Sequence, residues 1–204
     1  YCICFYSITK KTNSIGKNPK QLNFDSAIFS VGKALSCVTR NGGSAVANIV
    51  LTRIDNRLIH GQVATQWASS VKANLILVAN DKVANDTFRQ GLMDMAAPSF
   101  CQTRYFTLEK TISVIHKANP EQKIIIMCDN PSDVVTLVEG GVPITKVNIG
   151  NMHMADGKRQ IATVVAVDDK DVAAFQKLIE LGVELEIRKV PSEGTEDIQK
   201  LFKK

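Results

Sequence analysis

No stretch of this 204-residue sequence approaches the roughly 18 consecutive apolar residues that a membrane-crossing helix needs. Its apolar runs, such as Ile124 to Cys128 and Val164 to Val167, are far shorter. Cysteine is scarce and follows no pairing pattern. The five thiols, Cys2, Cys4, Cys37, Cys101 and Cys128, are odd in number and include no C-x-x-C pair, so neither a disulfide framework nor a zinc site is expected. Reduced thiols in a cytoplasmic protein are the simpler reading. No G-x-x-x-x-G-K-[ST] loop occurs, which removes the usual cradle for nucleotide phosphates. Repeats and low-complexity segments are absent as well. What is present, 45% apolar and 22% charged residues, is the balance of an ordinary globular chain, not of a collagen-like, coiled-coil or wholly disordered one.

The formal charge of +5 is unevenly placed. Residues 1–48 hold Lys10, Lys11, Lys17, Lys20, Lys33 and Arg40 against Asp25 alone, so the remaining 156 residues carry equal numbers of cations and anions. A nucleic-acid surface would need the excess to lie on the folded domain, so no nucleic-acid partner is expected. The first quarter of the chain shows no sustained hydrophobic period and ends in Asn41-Gly42-Gly43-Ser44-Ala45, which resembles a flexible linker. Its short apolar run precedes its lysines, the reverse of a signal peptide. Residues 1–47 are therefore expected to be a poorly ordered extension, linker or foreign segment outside the functional domain, with a small native subdomain as the alternative. Residues 48–204 are expected to form that domain.

From Asn48 onward, apolar runs alternate with amphipathic stretches. Strands are expected at residues 48–54, 75–79, 103–107, 123–128, 144–149, 161–167 and 183–190. Between them lie helical patterns at 60–70, along Val83, Phe88, Leu92 and Met95, through Leu108, Ile112 and Ile115, and at 169–181, with a closing helix at 196–202. Asn130 before Pro131 and Asp133 marks another helix start, with Gly140-Gly141 as its stop. Asp168 caps the helix that Gly182 terminates. Strands alternating with helices of this length imply βαβ crossovers: an α/β fold of three layers, α/β/α, around a mainly parallel sheet. In such sheets the active site lies at the carboxyl ends of the strands.

The first βα loop reads Arg53-Ile54-Asp55-Asn56-Arg57-Leu58-Ile59-His60-Gly61-Gln62. It sets two arginines, a carboxylate and a histidine between the first strand and the first helix. A neutral imidazole is a nucleophile near neutral pH, and an arginine three residues away can fork onto phosphate oxygens. The carboxylate can hold the ring in one tautomer, and amides at a helix start favour an anion. On chemistry alone this points to phosphate handling. A loop histidine capping a helix beside a surface ion pair explains the same residues.

The string RIDNRLIHGQVATQW resembles the active-site signature of the IIB components of the mannose/fructose/sorbose class in the bacterial phosphoenolpyruvate-dependent sugar phosphotransferase system. The similarity runs from about Asn48 to the C-terminus through LILVANDKVA, NPSDVVTLVEGGVP, NIGNMHMADGKRQIA and VAVDDKDVAAFQKLIELGVELE. Two of these pieces, ANDKVA and GNMH-x-A-GK-x-QIA, look most like the N-acetylgalactosamine-type branch. The resemblance implies that His60 accepts a phosphoryl group from a phosphohistidine of a IIA partner and passes it to the 6-hydroxyl of a sugar. The sugar would be an amino sugar such as N-acetylgalactosamine, otherwise mannose, fructose or sorbose, presented by the membrane components IIC and IID. That is the activity of a protein-N(pi)-phosphohistidine–sugar phosphotransferase. It further implies that Arg57 contacts the phosphoryl group and that Asp55 lies near the histidine, where orienting the ring is its expected role. Gly61, Asn151 and His153 are expected to line the site. No cofactor and no metal is implied. The protein would be cytoplasmic and peripheral to the inner face of the membrane through IIC and IID, and self-association is left open.

Cys128 is the rival acceptor, because other sugar-transport IIB classes carry phosphate on cysteine. It is flanked by Asp129 and Asp133 with no arginine in the next ten residues, so a dianion there would meet carboxylates, and a structural thiol is expected. His153, in a Gly-containing loop, lacks a nearby arginine and is expected to shape the site. His116 is expected to be solvated and Trp67 to pack in the core. The pairs Lys158-Arg159 and Arg188-Lys189 are expected to be solvated. Two other functions compete: a non-enzymatic regulator that keeps the fold, and a doubly wound binder of a small ligand or nucleotide. The intact Arg57 and His60 favour the carrier over the regulator, and the missing Gly-rich fingerprint counts against the binder.

Overall fold

The computed structural model describes residues 47–202, so the expectations for the basic segment before Ala47 lie outside the described residues. Six strands form one sheet: β1 (Ile49–Asp55), β2 (Leu75–Ala79), β3 (Gln102–Phe106), β4 (Ile124–Cys128), β5 (Lys146–Asn151) and β8 (Glu184–Ile187). Their spatial order is β3-β2-β4-β1-β5-β8, and every neighbouring pair is parallel. β2 and β4 are buried at every position, which is why LILVA and IIIMC are continuous apolar runs and not alternating ones.

The two faces of the sheet take alternate residues of each strand. Ile76, Val78, Ile125 and Met127 pack with Ala68 of α1 (Gly61–Ser70) and Met93 of α2 (Thr87–Ala96). Leu75, Leu77, Ile124, Ile126, Val147 and Ile149 pack instead with α4 (Pro131–Glu139) and α5 (Asp169–Glu180), through Val134, Leu137, Phe175 and Leu178. Part-buried Leu108 and Ile112 of α3 (Leu108–Val114) join that second core. The fold is thus the expected three-layer α/β/α arrangement.

Among the described residues, the α-helix starts follow the local chemistry with one exception. Asp86, Thr107 and Asn130 accept hydrogen bonds from the amides of Arg89, Lys110 and Asp133. Asp168 and Asp171 form a reciprocal capping box at α5. At α1 the N-cap is His60, in extended conformation and with no side-chain cap. The first amides of α1 are left without such a partner.

Several elements differ from the sequence-based expectation. Residues 161–167 are not one strand but parts of an antiparallel pair, β6 (Arg159–Ala162) and β7 (Val165–Val167). Their turn, at Thr163-Val164, carries neither Gly nor Pro, so no residue type announced it. The closing helix is a short 3-10 turn, Ile198–Leu201. On α2, Phe88, Leu92 and Met95 point outward, at 78%, 53% and 85% exposure. Polar ties set that register. The part-buried Gln90 side chain donates to the carbonyls of Val83 and Ala84, and exposed Asp94 accepts from Tyr105 and Thr103, with Met93 as the buried apolar residue of the helix. The pair Lys158-Arg159 is not solvated either. Lys158 Nζ lies 2.6 Å from Asp171 Oδ2, and Arg159 donates to the Leu201 carbonyl at 2.6 Å.

Replacing Asp168 with alanine removes an acceptor from the start of α5 and half of the capping box. The expected loss is about 1 kcal/mol of unfolding free energy, measured by urea denaturation against the wild-type chain.

Candidate active site

Strand alternation decides which side chains of β1 enter the site. Ile54 packs into the core shared with α4 and α5, while Arg53 stands under α1, against Trp67. Arg53 therefore belongs to the strand and not to the loop, and it is buried, at 1% exposure. Two positions on, Asp55 ends the strand with no exposed surface. The chain then turns tightly, Leu58 N donating to Asp55 O at 2.8 Å, and Leu58 takes a positive φ of 57° with its side chain buried. Gly61, at φ +34°, opens α1 in a conformation that L side chains rarely adopt.

The Asp55 carboxylate organises this loop. Its Oδ2 accepts from Arg53 Nη2 at 3.0 Å. Its Oδ1 accepts from the Arg57 amide at 3.1 Å and from Asn151 Nδ2 at 3.4 Å. The Arg57 guanidinium is half exposed, with Nε 3.7 Å from Oδ1. The His60 ring is one-fifth exposed, with Nε2 3.9 Å from Oδ2. The direct hydrogen bond to the ring comes from elsewhere: Nδ1 lies 2.9 Å from the Leu58 carbonyl. A carbonyl only accepts, so Nδ1 carries a proton, and in the neutral ring the lone pair sits on Nε2. Nε2 is buried and without a hydrogen-bond partner.

Other strand ends close around the same place. Asn56 spans two loops: its Nδ2 donates to the Asp129 carbonyl beyond β4, and its Oδ1 accepts from the His153 amide beyond β5, both at 2.6 Å. Asn151 reaches Asp55 on one side and lies 3.4 Å from His153 Nε2 on the other. His153 borders a cavity of about 220 Å³ whose lining includes Asn151, Met154, Gln160 and Thr163. Asp55, Arg57, His60, Gly61, Asn151 and His153 are thus gathered at the carboxyl ends of β1 and β5. Arg53 in its buried role and Asn56 were not singled out from the sequence. An arginine two residues before an aspartate on a strand shares its face, and that spacing was the available signal.

Cys128 is fully buried at the end of β4. Burial pushes its thiol well above the ordinary value, and the Asp133 and Asp129 carboxylates push it further. It is a packed thiol, not a thiolate nucleophile. His116 is exposed in a 3-10 turn after α3. Trp67 is 5% exposed, and its indole donates to the Lys189 carbonyl at 3.0 Å. No group of His, Cys, Asp and Glu that could hold a metal ion occurs among the described residues.

The description "PTS system sorbose subfamily IIB component" belongs to a family model that matches residues 49–204. The chain belongs to that family. Over 155 residues it is 52% identical to the N-acetylgalactosamine-specific phosphotransferase enzyme IIB component 2 of Escherichia coli K12, covering 76% of this chain and 99% of that protein. It is also 45% identical over 148 residues to the E. coli K12 mannose-specific EIIAB component, 71% of this chain and 45% of that one. Among solved structures, the N-acetylgalactosamine-specific IIB component 1 of E. coli superposes with a TM-score of 0.72 at 49% identity, over 74% of this chain and 99% of that one. The IIB domain of the sorbose permease of Klebsiella pneumoniae gives 0.71 at 40% identity, over 76% and 96%. As a family member, the chain is a phosphotransferase component of the sugar phosphotransferase system.

One acidic group beside this IIB site has a defined pH signature. Burial, then the Asp129 carboxylate, pushes the Asp133 carboxyl from its ordinary 3.8 up to about 7. The folded protein holds this proton more tightly than the unfolded chain, so stability declines as pH rises from about 4 to about 7. Asp133→Asn is expected to flatten that decline and to melt above wild type at pH 8. Thermal melts of both proteins between pH 4.5 and 8 check it.

Proposed function

We propose that His60 is the phosphoryl acceptor of this IIB component and Arg57 the residue that stabilises the phosphoryl group in transit. The observation that carries the reading is the pairing of an imidazole with a half-exposed guanidinium across one buried carboxylate, at the uncapped start of α1. The acceptor nitrogen's lone pair forms the new N–P bond while the N–P bond to the phosphohistidine of a IIA partner breaks. In the second step the oxygen of a sugar 6-hydroxyl bonds to phosphorus as the N–P bond to His60 breaks, and the hydroxyl proton is released to solvent. Free amides at the helix start and the Arg57 guanidinium offset charge on the equatorial oxygens. Positioning supplies most of the catalysis, since little proton transfer is needed at the histidine.

In the structure one ring nitrogen is hydrogen-bonded to Leu58 and the other is buried against Asp55. Neither is presented for in-line attack, so a rotation of the His60 side chain precedes transfer. The names of the similar E. coli proteins support N-acetylgalactosamine as the sugar. Its delivery through IIC and IID would hold the chain at the inner face of the membrane, as a cytoplasmic peripheral subunit. No helix among the described residues is long and apolar enough to cross a membrane. Asn151 and His153 shape the cleft wall in this reading, and Asp55 anchors the loop. A regulator without transfer activity would not need Arg57 and His60 kept at one site.

Incubation with a phosphorylated IIA partner should label the chain with acid-labile, base-stable phosphate, and His60→Ala should abolish the label. Label retained in that variant would remove His60 from the role. For Arg57→Ala, loss of one charge-stabilising donor is expected to slow transfer by about 100-fold with the fold retained, read by single-turnover phosphate transfer and by circular dichroism. Wild-type rates would exclude Arg57 from the chemistry.

A further inference from the structure

We infer that Arg53, buried under α1, is a positioning residue for phosphoryl transfer: it neutralises and orients Asp55 so that Arg57 stays free to engage the phosphoryl group. The inference rests on the phosphocarrier reading of His60 and Arg57 given above.

The guanidinium sits in a compartment shaped for it. Its Nη2 donates to Asp55 Oδ2 at 3.0 Å, and its Nη1 donates to Asn148 Oδ1 and, at 3.2 Å, to the Arg188 carbonyl. Its Cζ lies 5.5 Å from the centroid of the Trp67 ring. Across the sheet, Arg53 is in register with Asn148 on β5, and Asn148 with Glu186 on β8. Asn148 is itself held by Glu186 Oε1 at 3.2 Å and by the Arg188 carbonyl at 3.1 Å. Gly150 completes the space: a Cβ there would fall 1.9–2.1 Å from the guanidinium atoms. No side chain of any other type leaves room for Arg53 in this position.

This arrangement settles how Asp55 divides its attractions. A buried carboxylate needs a compensating cation, and two arginines lie within reach. Arg53 is enclosed and held by a planar fork, whereas Arg57 is half exposed and stands 3.7 Å away. With Oδ2 taken by Arg53, the carboxylate offers Oδ1 to the Arg57 amide, which fixes the loop, and leaves the Arg57 side chain only loosely attached. Without the buried cation, Arg57 would be drawn onto Asp55, and an incoming phosphoryl group would lose the guanidinium that receives it. Lysine cannot reproduce this, because a point charge on a flexible stem cannot bridge Asp55 and Asn148 while stacking on an indole.

The test measures single-turnover transfer from a phosphorylated IIA partner to the full chain and to Arg53→Lys, Arg57→Ala and the double variant. Arg53→Lys is expected to lower the transfer rate at saturating donor by about 10- to 100-fold, with the half-saturating donor concentration nearly unchanged. In the double variant the two losses should not multiply, because Arg53 acts through Arg57. Transfer by Arg53→Lys within about twofold of wild type overturns the inference, and so do losses that multiply in full. If Arg53→Lys does not fold, Asn148→Ala, which keeps Arg53 and Asp55 and removes one anchor of the fork, is judged by the same two criteria. Absence of transfer to the wild-type chain would defeat the phosphocarrier reading itself, a result distinct from normal transfer to Arg53→Lys.

Discussion

The burial of the Asp55 carboxylate is the constraint around which this end of the molecule is arranged. A carboxylate with no exposed surface is tolerable only when paired and hydrogen-bonded. Arg53 supplies the charge, and the Arg57 amide and Asn151 supply the remaining donors. Each of those donors is in turn tied to a different element. Arg53 reaches β5 and the end of β8, Asn151 ends β5, and Arg57 opens the loop that leads into α1. One buried charge thereby joins three adjacent strands and a helix start.

The consequence for function lies in what that arrangement leaves unsatisfied. The other long helices among the described residues begin with a side-chain cap, whereas α1 begins at His60 without one. Leu58 and Gly61 hold positive φ on either side of Ile59 and His60, and the His60 ring is folded back against the loop. Helix-start amides without a side-chain cap, the half-exposed Arg57 guanidinium and the His60 imidazole thus share one strand end. On the neighbouring strand end the acidic pair Asp129 and Asp133 flanks a buried, protonated Cys128. The two strand ends thus differ in charge: β1 ends among arginines, and β4 among carboxylates.

Much of the fold was legible because its signals are local. Leu75 to Ala79 and Ile124 to Cys128 are continuous apolar runs of strand length, and such runs are buried on both faces wherever they occur. Asn130 with Pro131, and Asp168 with Asp171, mark helix starts through hydrogen bonds that span only three residues. The hairpin of β6 and β7 was not legible, since its turn uses Thr163 and Val164 in place of turn-forming residues. Nor was the outward face of α2. Apolar spacing along Phe88, Leu92 and Met95 suggests an inward stripe, but Gln90 bonds to the preceding turn at Val83, Asp94 bonds to Tyr105 on β3, and Met93 is the residue that faces the core. Lys158 and Arg159 likewise read as solvated until Asp171 and the Leu201 carbonyl are placed beside them.

The sequence by itself determined the α/β alternation, the family to which the chain belongs, and the candidacy of His60, Arg57 and Asp55, because each rests on residue types within one short string or on hydrogen bonds across a single turn. Only the tertiary structure decided what those residues face. Arg53 and Arg57 are both arginines in one ten-residue segment, yet one is enclosed at 1% exposure and the other lies half open. The difference arises from contacts about 95 and 135 residues away in the chain, with Asn148 and Arg188. Parallel strand pairing brings such distant segments into register, and no local pattern of residues encodes it.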